Sequence, residues 1–313
     1  MIVNTGSRTD IPAFYSAWLI NRVHAGFLMV RNPYYPKLVS RYVLDPRSVD
    51  ALVFCTKNPE PILKDIHELD AFRQFWYVTI TPYGKDIEPN VPDKHRVIES
   101  FITLSKHIGH KRMVWRYDPV FVNQKYDIAY HIRAFETIAS LLEGYTERAV
   151  FSFIDLYEKT KRNFPEVREV TRDDQITLTK AFVQSCEKHH MILTGCLESK
   201  ELACYGADMN GCMTKQIIEQ AIGEELSVPK GTPARDGCSC LLGNDIGAYN
   251  TCAHFCKYCY ANYDREIVIR NMKKHDPESP LLIGHIESDD TVKDVNQKSW
   301  INAQLKLDLN KMP

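Results

Sequence analysis

At 313 residues the chain can hold one large α/β domain or two smaller ones, with length enough to bury a sizeable core. Its 39 Lys+Arg against 40 Asp+Glu leave a net charge of −1, which gives no support to a nucleic-acid or acidic-membrane partner and leaves only a local basic groove open. There is no basic leader with an apolar core and no stretch approaching ~18 apolar residues, so the expectation is a soluble, cytoplasmic protein with no membrane partner. In a reducing cytosol its ten cysteines read as metal ligands rather than as a disulfide framework, and they crowd toward the C-terminal third.

The first element is a short β-like run over 2–5, ended by the loop GSRTDIP at 6–12, which carries Arg8 and Asp10. A helix is expected over 13–25, then a hairpin-like insertion built from 27–30 and 38–44 around the turn-rich RNPYYP at 31–36. The run ALVFC at 51–55 has the length and uniform apolarity of a strand buried on both faces, as in a parallel sheet, and it halts at TKNP. Helices and strands then alternate: helix 61–71, strand 75–81, helix 92–108, strand 113–117, helix 128–142, strand 149–154, helix 173–189 and strand 191–194. Phe101, Leu104, Phe135 and Ile138 recur at helical spacing and face the core. Alternation with short connections implies right-handed βαβ units, so residues 1–197 are expected to form a partial TIM-like (β/α) barrel of about six parallel strands.

Beyond Cys196 the composition changes. Residues 198–262 offer one helix, at 214–222, amid Gly, Pro and polar residues, and a stretch so poor in periodic apolar content needs metal ligation to order it. Residues 263–313 begin with a helix at 263–273 and end in a polar tail from 287, expected to pack outside the barrel or over the cysteines.

Barrels place their working residues at the C-terminal ends of strands. Those ends here carry Arg8 and Asp10, Lys57 and Asn58, Thr81 and Tyr83, Arg116 and Asp118, Asp155, and Cys196. Arg116, Asp118 and Lys57 are the catalytic candidates, and Arg8, Asp10 and Asn58 the cofactor-binding ones. A plainer reading stands beside this one, in which Arg116 and Asp118 only pair with each other and Lys57-Asn58 only forms a helix-entry turn.

The strongest chemical signal is CAHFCKYC at 252–259. Cys252, Cys256 and Cys259, spaced by three and then two residues, can converge on a soft metal, and three thiolates on a four-iron cluster leave the fourth iron without a protein ligand. A zinc reading needs a fourth donor, from His254 or a further cysteine. Cys196, Cys212, Cys238 and Cys240 make a second, looser group, open to an auxiliary iron–sulfur cluster, a structural zinc, or plain buried thiols. Cys55 and Cys186 read as packing residues, and Cys204 stands as a substitute ligand.

The three-then-two spacing resembles that of radical S-adenosylmethionine (SAM) enzymes, in which an aromatic residue, here Tyr258, precedes the last cysteine. Taken with GSRTDIP at 6–12, TKNP at 56–59, WRYDP at 115–119, SFID at 152–155 and DIGAY at 245–249, the chain resembles the DUF1848 family, whose members are radical-SAM-like and have no named substrate. The resemblance implies a [4Fe–4S] cluster on Cys252, Cys256 and Cys259, SAM bound at its open iron, reductive cleavage to a 5′-deoxyadenosyl radical that attacks an unidentified substrate, and an electron donor such as flavodoxin or ferredoxin. It also implies that Tyr258 packs near the adenine. Two departures matter: no glycine-rich acidic segment of the kind that contacts the methionine amine follows any strand, and the cysteine loop comes last, where most relatives carry it after the first strand. The alternatives are a non-catalytic zinc-stabilised binding module and an iron–sulfur redox protein.

Overall fold

The computed structural model describes residues 1–229, 238–241 and 243–302. Strand β1 (Ile2–Asn4) leads into two helices, α1 (Ile11–Phe14) and α2 (Ser16–Ala25), where the sequence predicts one. The break has a cause: Asp10 caps α1 by accepting from Ala13 N at 3.1 Å, and Tyr15 leaves helical geometry to place its hydroxyl 2.6 Å from the Thr251 carbonyl. The hairpin forms as expected, with β2 (Phe27–Arg31) antiparallel to β3 (Leu38–Val43). After β4 (Ala51–Thr56), the helix expected over 61–71 is one turn, α3 (Glu60–Leu63), followed by a 3-10 turn at Ile66–Leu69.

The alternation then runs as read from the sequence, through β5 (Gln74–Thr79), α4 (Lys94–Ile108), β6 (Met113–Val120), α5 (Ile128–Leu142) and β7 (Arg148–Phe153). A short α6 (Glu158–Asn163), not signalled by the sequence, precedes α7 (Arg172–Lys188) and β8 (Ile192–Gly195). The remaining elements are α8 (Lys215–Ile222), β9 (Asn244–Asp245), α9 (Arg265–Met272) and β10 (Thr291–Asp294).

Seven strands form one sheet in the order β8-β7-β6-β5-β4-β1-β9, and every pairing is parallel. From β1 to β8 the sheet follows chain order without reversal once the hairpin is set aside. The seventh strand, β9, lies beyond β1 at the opposite edge from β8. Strand periodicity sorts the side chains. Leu52, Phe54, Trp76, Val78, Trp115 and Phe151 point to the face covered by the long helices. Ile2, Val53, Phe75, Val114 and Val150 point to the other, where the apolar stripe of α8, with Ile217, Ile218 and Ile222, covers them. Continuing along that second face toward the strand ends, the residues turn polar at Lys57, Thr79, Arg116, Asp118 and Ser152. Helix α8 thus seals the apolar half and leaves the polar half for a cavity.

The expected polar tail is partly structured. β10 pairs parallel with β3 and makes a second sheet, β10-β3-β2, held by a two-pronged contact from Arg31 to Asp290 at 2.5 and 2.7 Å. Among the described residues no helix is long and apolar enough to cross a membrane.

Candidate metal centre

Parallel pairing decides where the cysteine loop emerges. β9 runs beside β1 in the register Val3 with Asn244 and Asn4 with Asp245, so the chain leaves it at the same end of the sheet as the loops that follow β1 and β4 to β8. Gly243 makes this approach possible, because a Cβ there would lie 2.2 Å from the Ile2 carbonyl oxygen. A cavity of about 1470 Å³ opens at this end. Arg8, Asp10, Lys57, Arg116, Asp118 and Asp155 line it from the strand ends. Cys252, Cys256, Tyr258 and Cys259 face it from the loop, and Cys196 contributes from the end of β8.

The loop is fastened at many points. Asn90 bonds the Ala253 carbonyl through its side chain at 2.7 Å and the His254 carbonyl through its backbone at 3.2 Å, and Lys257 N bonds the Ile87 carbonyl at 3.0 Å. Asn262 closes the loop on the Cys252 carbonyl at 2.8 Å, and the Tyr260 hydroxyl reaches Ser7 O at 2.6 Å. Asn250 and Phe255 adopt left-handed φ of 57° and 54°, a strain that persists where surrounding bonds over-determine the path. His254 sits edge-on to Phe14, with Nε2 2.8 Å from Asp10 Oδ2. The same Asp10 oxygen accepts from Lys57 N at 2.7 Å, so Asp10 ties the ends of β1 and β4 to the cysteine loop.

Glu88, fully buried and without a sequence signal, is the electrostatic centre of this region. It accepts from Lys57 Nζ at 2.9 Å and Thr81 Oγ1 at 2.6 Å, and also from Lys94 Nζ and the Tyr258 hydroxyl. Burial pushes its carboxyl up, but Lys57 and Lys94 outweigh burial and hold it down to about 2. Burial opposes the charge on Lys57, yet Glu88 and Cys256 keep its ammonium above the ordinary value. Two cations against one carboxylate leave a net positive charge beside Cys256. Burial raises the Cys256 thiol to about 12, with Lys57 opposing, and it also raises Cys252. A bound cation at the centre is what would make these buried thiols ionise.

At the cavity floor Arg116 pairs with Asp118, which also accepts from the Ser152 hydroxyl. Burial would strip charge from both, but each holds the other ionised. Arg8 is drawn to β9, its Nη2 donating to the Asp245 carbonyl at 3.1 Å. Asn58 is not among the residues lining the cavity: its side chain accepts from Glu60 N at 3.3 Å, as a helix-entry turn requires. Tyr83, placed at the mouth by its position after β5, is instead buried against Phe121 and Tyr126. Tyr258 faces the cavity with its hydroxyl committed to Glu88.

The second cysteine group adjoins this cavity, which Cys196 also lines. Cys212 Sγ is 3.4 Å from Cys196 Sγ and 3.5 Å from Cys240 Sγ, and Cys212 packs with α8 against the second face of the sheet. Among the described residues, the one set of three or more metal-ligating side chains with all donor atoms within 4.8 Å is Glu287, Asp289 and Asp290, which Lys37 and Arg31 already neutralise. At least one sulfur pair within Cys252, Cys256 and Cys259, and likewise within Cys196, Cys212 and Cys240, therefore stands wider than 4.8 Å, against the roughly 3.8 Å between tetrahedral thiolates ~2.3 Å from zinc. A four-iron cluster binds its thiolates through separate irons and needs the wider spacing. The donors fit that group: three thiols, a His254 N–H directed at Cys252, the Tyr258 side chain on Cys256, and a buried His254 Nδ1 with no hydrogen-bond partner.

Fold and site together define an α/β protein with a parallel sheet, a strand-end cavity and a cysteine loop carried on the sheet edge. The chain matches the domain of unknown function DUF1848 over residues 2–261, and it belongs to that family. No curated protein and no solved structure matches it.

Proposed function

We propose that this protein is a radical SAM enzyme in which Cys252, Cys256 and Cys259 hold a [4Fe–4S] cluster at the mouth of a partial (β/α) barrel. One observation carries the reading. The cysteine loop is last in the chain but follows β9, which stands at the edge of the parallel sheet next to β1. The sequence departure that argued against the resemblance thus becomes an arrangement in which the motif again follows an edge strand of the sheet. When bound, the cluster and SAM supply one-electron cleavage of a carbon–sulfur bond and hydrogen abstraction from substrate.

The protein's part is to bind, orient and exclude water. The cavity, at about 1470 Å³, exceeds the ~300–1,000 Å³ that encloses one small ligand, so a substrate fits beside SAM. Lys57 offsets thiolate charge at Cys256, and Glu88 fixes both Lys57 and Tyr258. Arg116 and Asp118, held ionised by each other, present polar groups to whatever occupies the floor.

The test is anaerobic reconstitution with iron and sulfide, followed by reduction with dithionite or a flavodoxin-type donor in the presence of SAM. Release of 5′-deoxyadenosine by the wild type, abolished in Cys256→Ala, is the expected result. A fully reconstituted cluster that cleaves no SAM refutes the reading.

A further inference from the structure

The sulfur spacing within the second cysteine group points to the metal it would hold. Cys212 Sγ lies 3.4 Å from Cys196 and 3.5 Å from Cys240, close to the roughly 3.8 Å edge of a tetrahedral zinc–thiolate site. Thiolates on the separate irons of a four-iron cube cannot approach so closely. We infer that Cys196, Cys212, Cys238 and Cys240 bind a single zinc-class ion, separate from the centre at Cys252, Cys256 and Cys259.

The surrounding backbone is arranged for such a site. Gly211, at φ 117°, lets the 210–213 turn approach the 238–241 segment, where a Cβ would stand 2.5 Å from Ser239 Oγ and 3.6 Å from Cys240 Sγ. The two segments are zipped by Ser239 Oγ to the Asn210 carbonyl, by Met213 N to Cys240 Sγ at 3.3 Å, and by Leu241 N to the Met213 carbonyl at 2.8 Å. An N–H directed at sulfur favours the thiolate, which is the form that binds metal. Leu197, directly after Cys196, takes a left-handed φ of 62° that turns the chain away from β8 at the ligand. The Tyr77 hydroxyl anchors the Cys212 carbonyl at 2.5 Å, fixing the middle ligand to β5. Cys196 and Cys240, on either side of Cys212, do not yet close to within 4.8 Å of each other. A bound ion draws that edge in and brings Cys238, two residues from Cys240, to the fourth position.

The consequence is architectural. The segment from 196 to 241 leaves the sheet at β8 and ends just before β9 at the opposite edge. An ion holding both of its ends closes that gap beside the cavity wall at Cys196, independently of whether the first centre carries a cluster.

Zinc and iron are counted per chain by mass spectrometry in the full-length wild type, Cys212→Ser and Cys256→Ser, before and after iron–sulfur reconstitution. The inference expects ~1 zinc in the wild type and in Cys256→Ser, lost from Cys212→Ser, with zinc-edge X-ray absorption of the wild type giving a four-sulfur shell near ~2.3 Å. The absorption measurement decides alone if Cys212→Ser does not fold. Iron and sulfide that Cys256→Ser keeps and Cys212→Ser loses overturn the inference in favour of a second cluster. Absence of any metal, with these thiols reacting with a disulfide reagent, overturns it as well. Zinc that is lost from Cys256→Ser and kept by Cys212→Ser overturns both this inference and the cluster at the first centre, whereas a failure to cleave SAM leaves this inference standing.

Discussion

Replacing Glu88 with glutamine tests the electrostatic account of the cysteine loop. The substitution keeps the shape of the side chain but removes the one carboxylate that faces Lys57 and Lys94, and it weakens the acceptor for Thr81 and Tyr258. A carboxyl held from 4.5 down to about 2 corresponds to about 3 kcal/mol of stabilisation at neutral pH. Removing one partner of a buried ion pair costs ~3–5 kcal/mol, in the same range. Glu88 has no exposed side-chain surface, and Lys57 and Lys94 are only 14% and 27% exposed, so solvent relieves little of that cost. Urea unfolding at pH 7 should show Glu88→Gln less stable than wild type by about 3 kcal/mol. The sign of the pH dependence follows from the lowered carboxyl: its contribution is present above the unfolded value of 4.5 and is lost as pH falls toward 2, so the gap should shrink to less than half by pH ~3. A gap under about 1 kcal/mol at pH 7, or one that does not narrow on acidification, refutes the reasoning.

Three further outcomes are expected. His131 is buried, with Nδ1 2.9 Å from the Tyr117 hydroxyl and Nε2 2.8 Å from the Phe121 carbonyl, and burial lowers its pKa to about 4. Stability it supplies is complete above the unfolded value of 6.5 and falls by about 3 kcal/mol on acidification to pH ~4, so His131→Gln should flatten the stability profile between pH ~6.5 and ~4.5, where Glu88 does not yet titrate. Gly243→Ala forces a Cβ against the Ile2 carbonyl and should cost ~1–3 kcal/mol in urea unfolding while lowering iron retained after reconstitution; unchanged iron would show that β9 does not position the loop. Tyr258→Phe removes a hydrogen bond to a charged acceptor and should cost ~1.5–3 kcal/mol yet retain full iron, since all three thiols remain.

The elements that the sequence disclosed are those whose pattern is local. The apolar run at 51–55, the helix at 128–142 and the polar residues after each strand required only periodicity, and Arg8, Lys57, Arg116, Asp118 and Asp155 do meet at one cavity. The elements missed are defined by partners far away in the chain. Asn244-Asp245 has no β-forming residue and is a strand only because Gly243 lets it lie against β1. The polar residues of β10 gain strand structure from pairing with β3. The helix expected over 13–25 divides because Tyr15 reaches Thr251, and Glu88 is a lone acid in a loop whose two lysine partners come from other segments. Asn58 looked like a mouth residue because polarity after a strand does not distinguish a side chain that faces a ligand from one that closes a turn.

The place of β9 joins the cysteine loop to the N-terminal strand. Its partners on β1 are about 240 residues away in sequence, so the pairing carries a large loop-closure cost and is expected to form after the β1–β8 core. A two-residue strand cannot meet that cost through its own hydrogen bonds. The stabilisation comes from contacts on either side of it: Ser7 N and the Arg8 side chain on Asp245, Tyr260 on Ser7, His254 on Asp10, and Tyr258 on Glu88. The fragments GSRTDIP and CAHFCKYC, joined by the Asp10–His254 contact across 244 residues of sequence, therefore act as one structural unit. The path of the cysteine loop therefore rests on contacts with the first ten residues as well as on the loop's own hydrogen bonds.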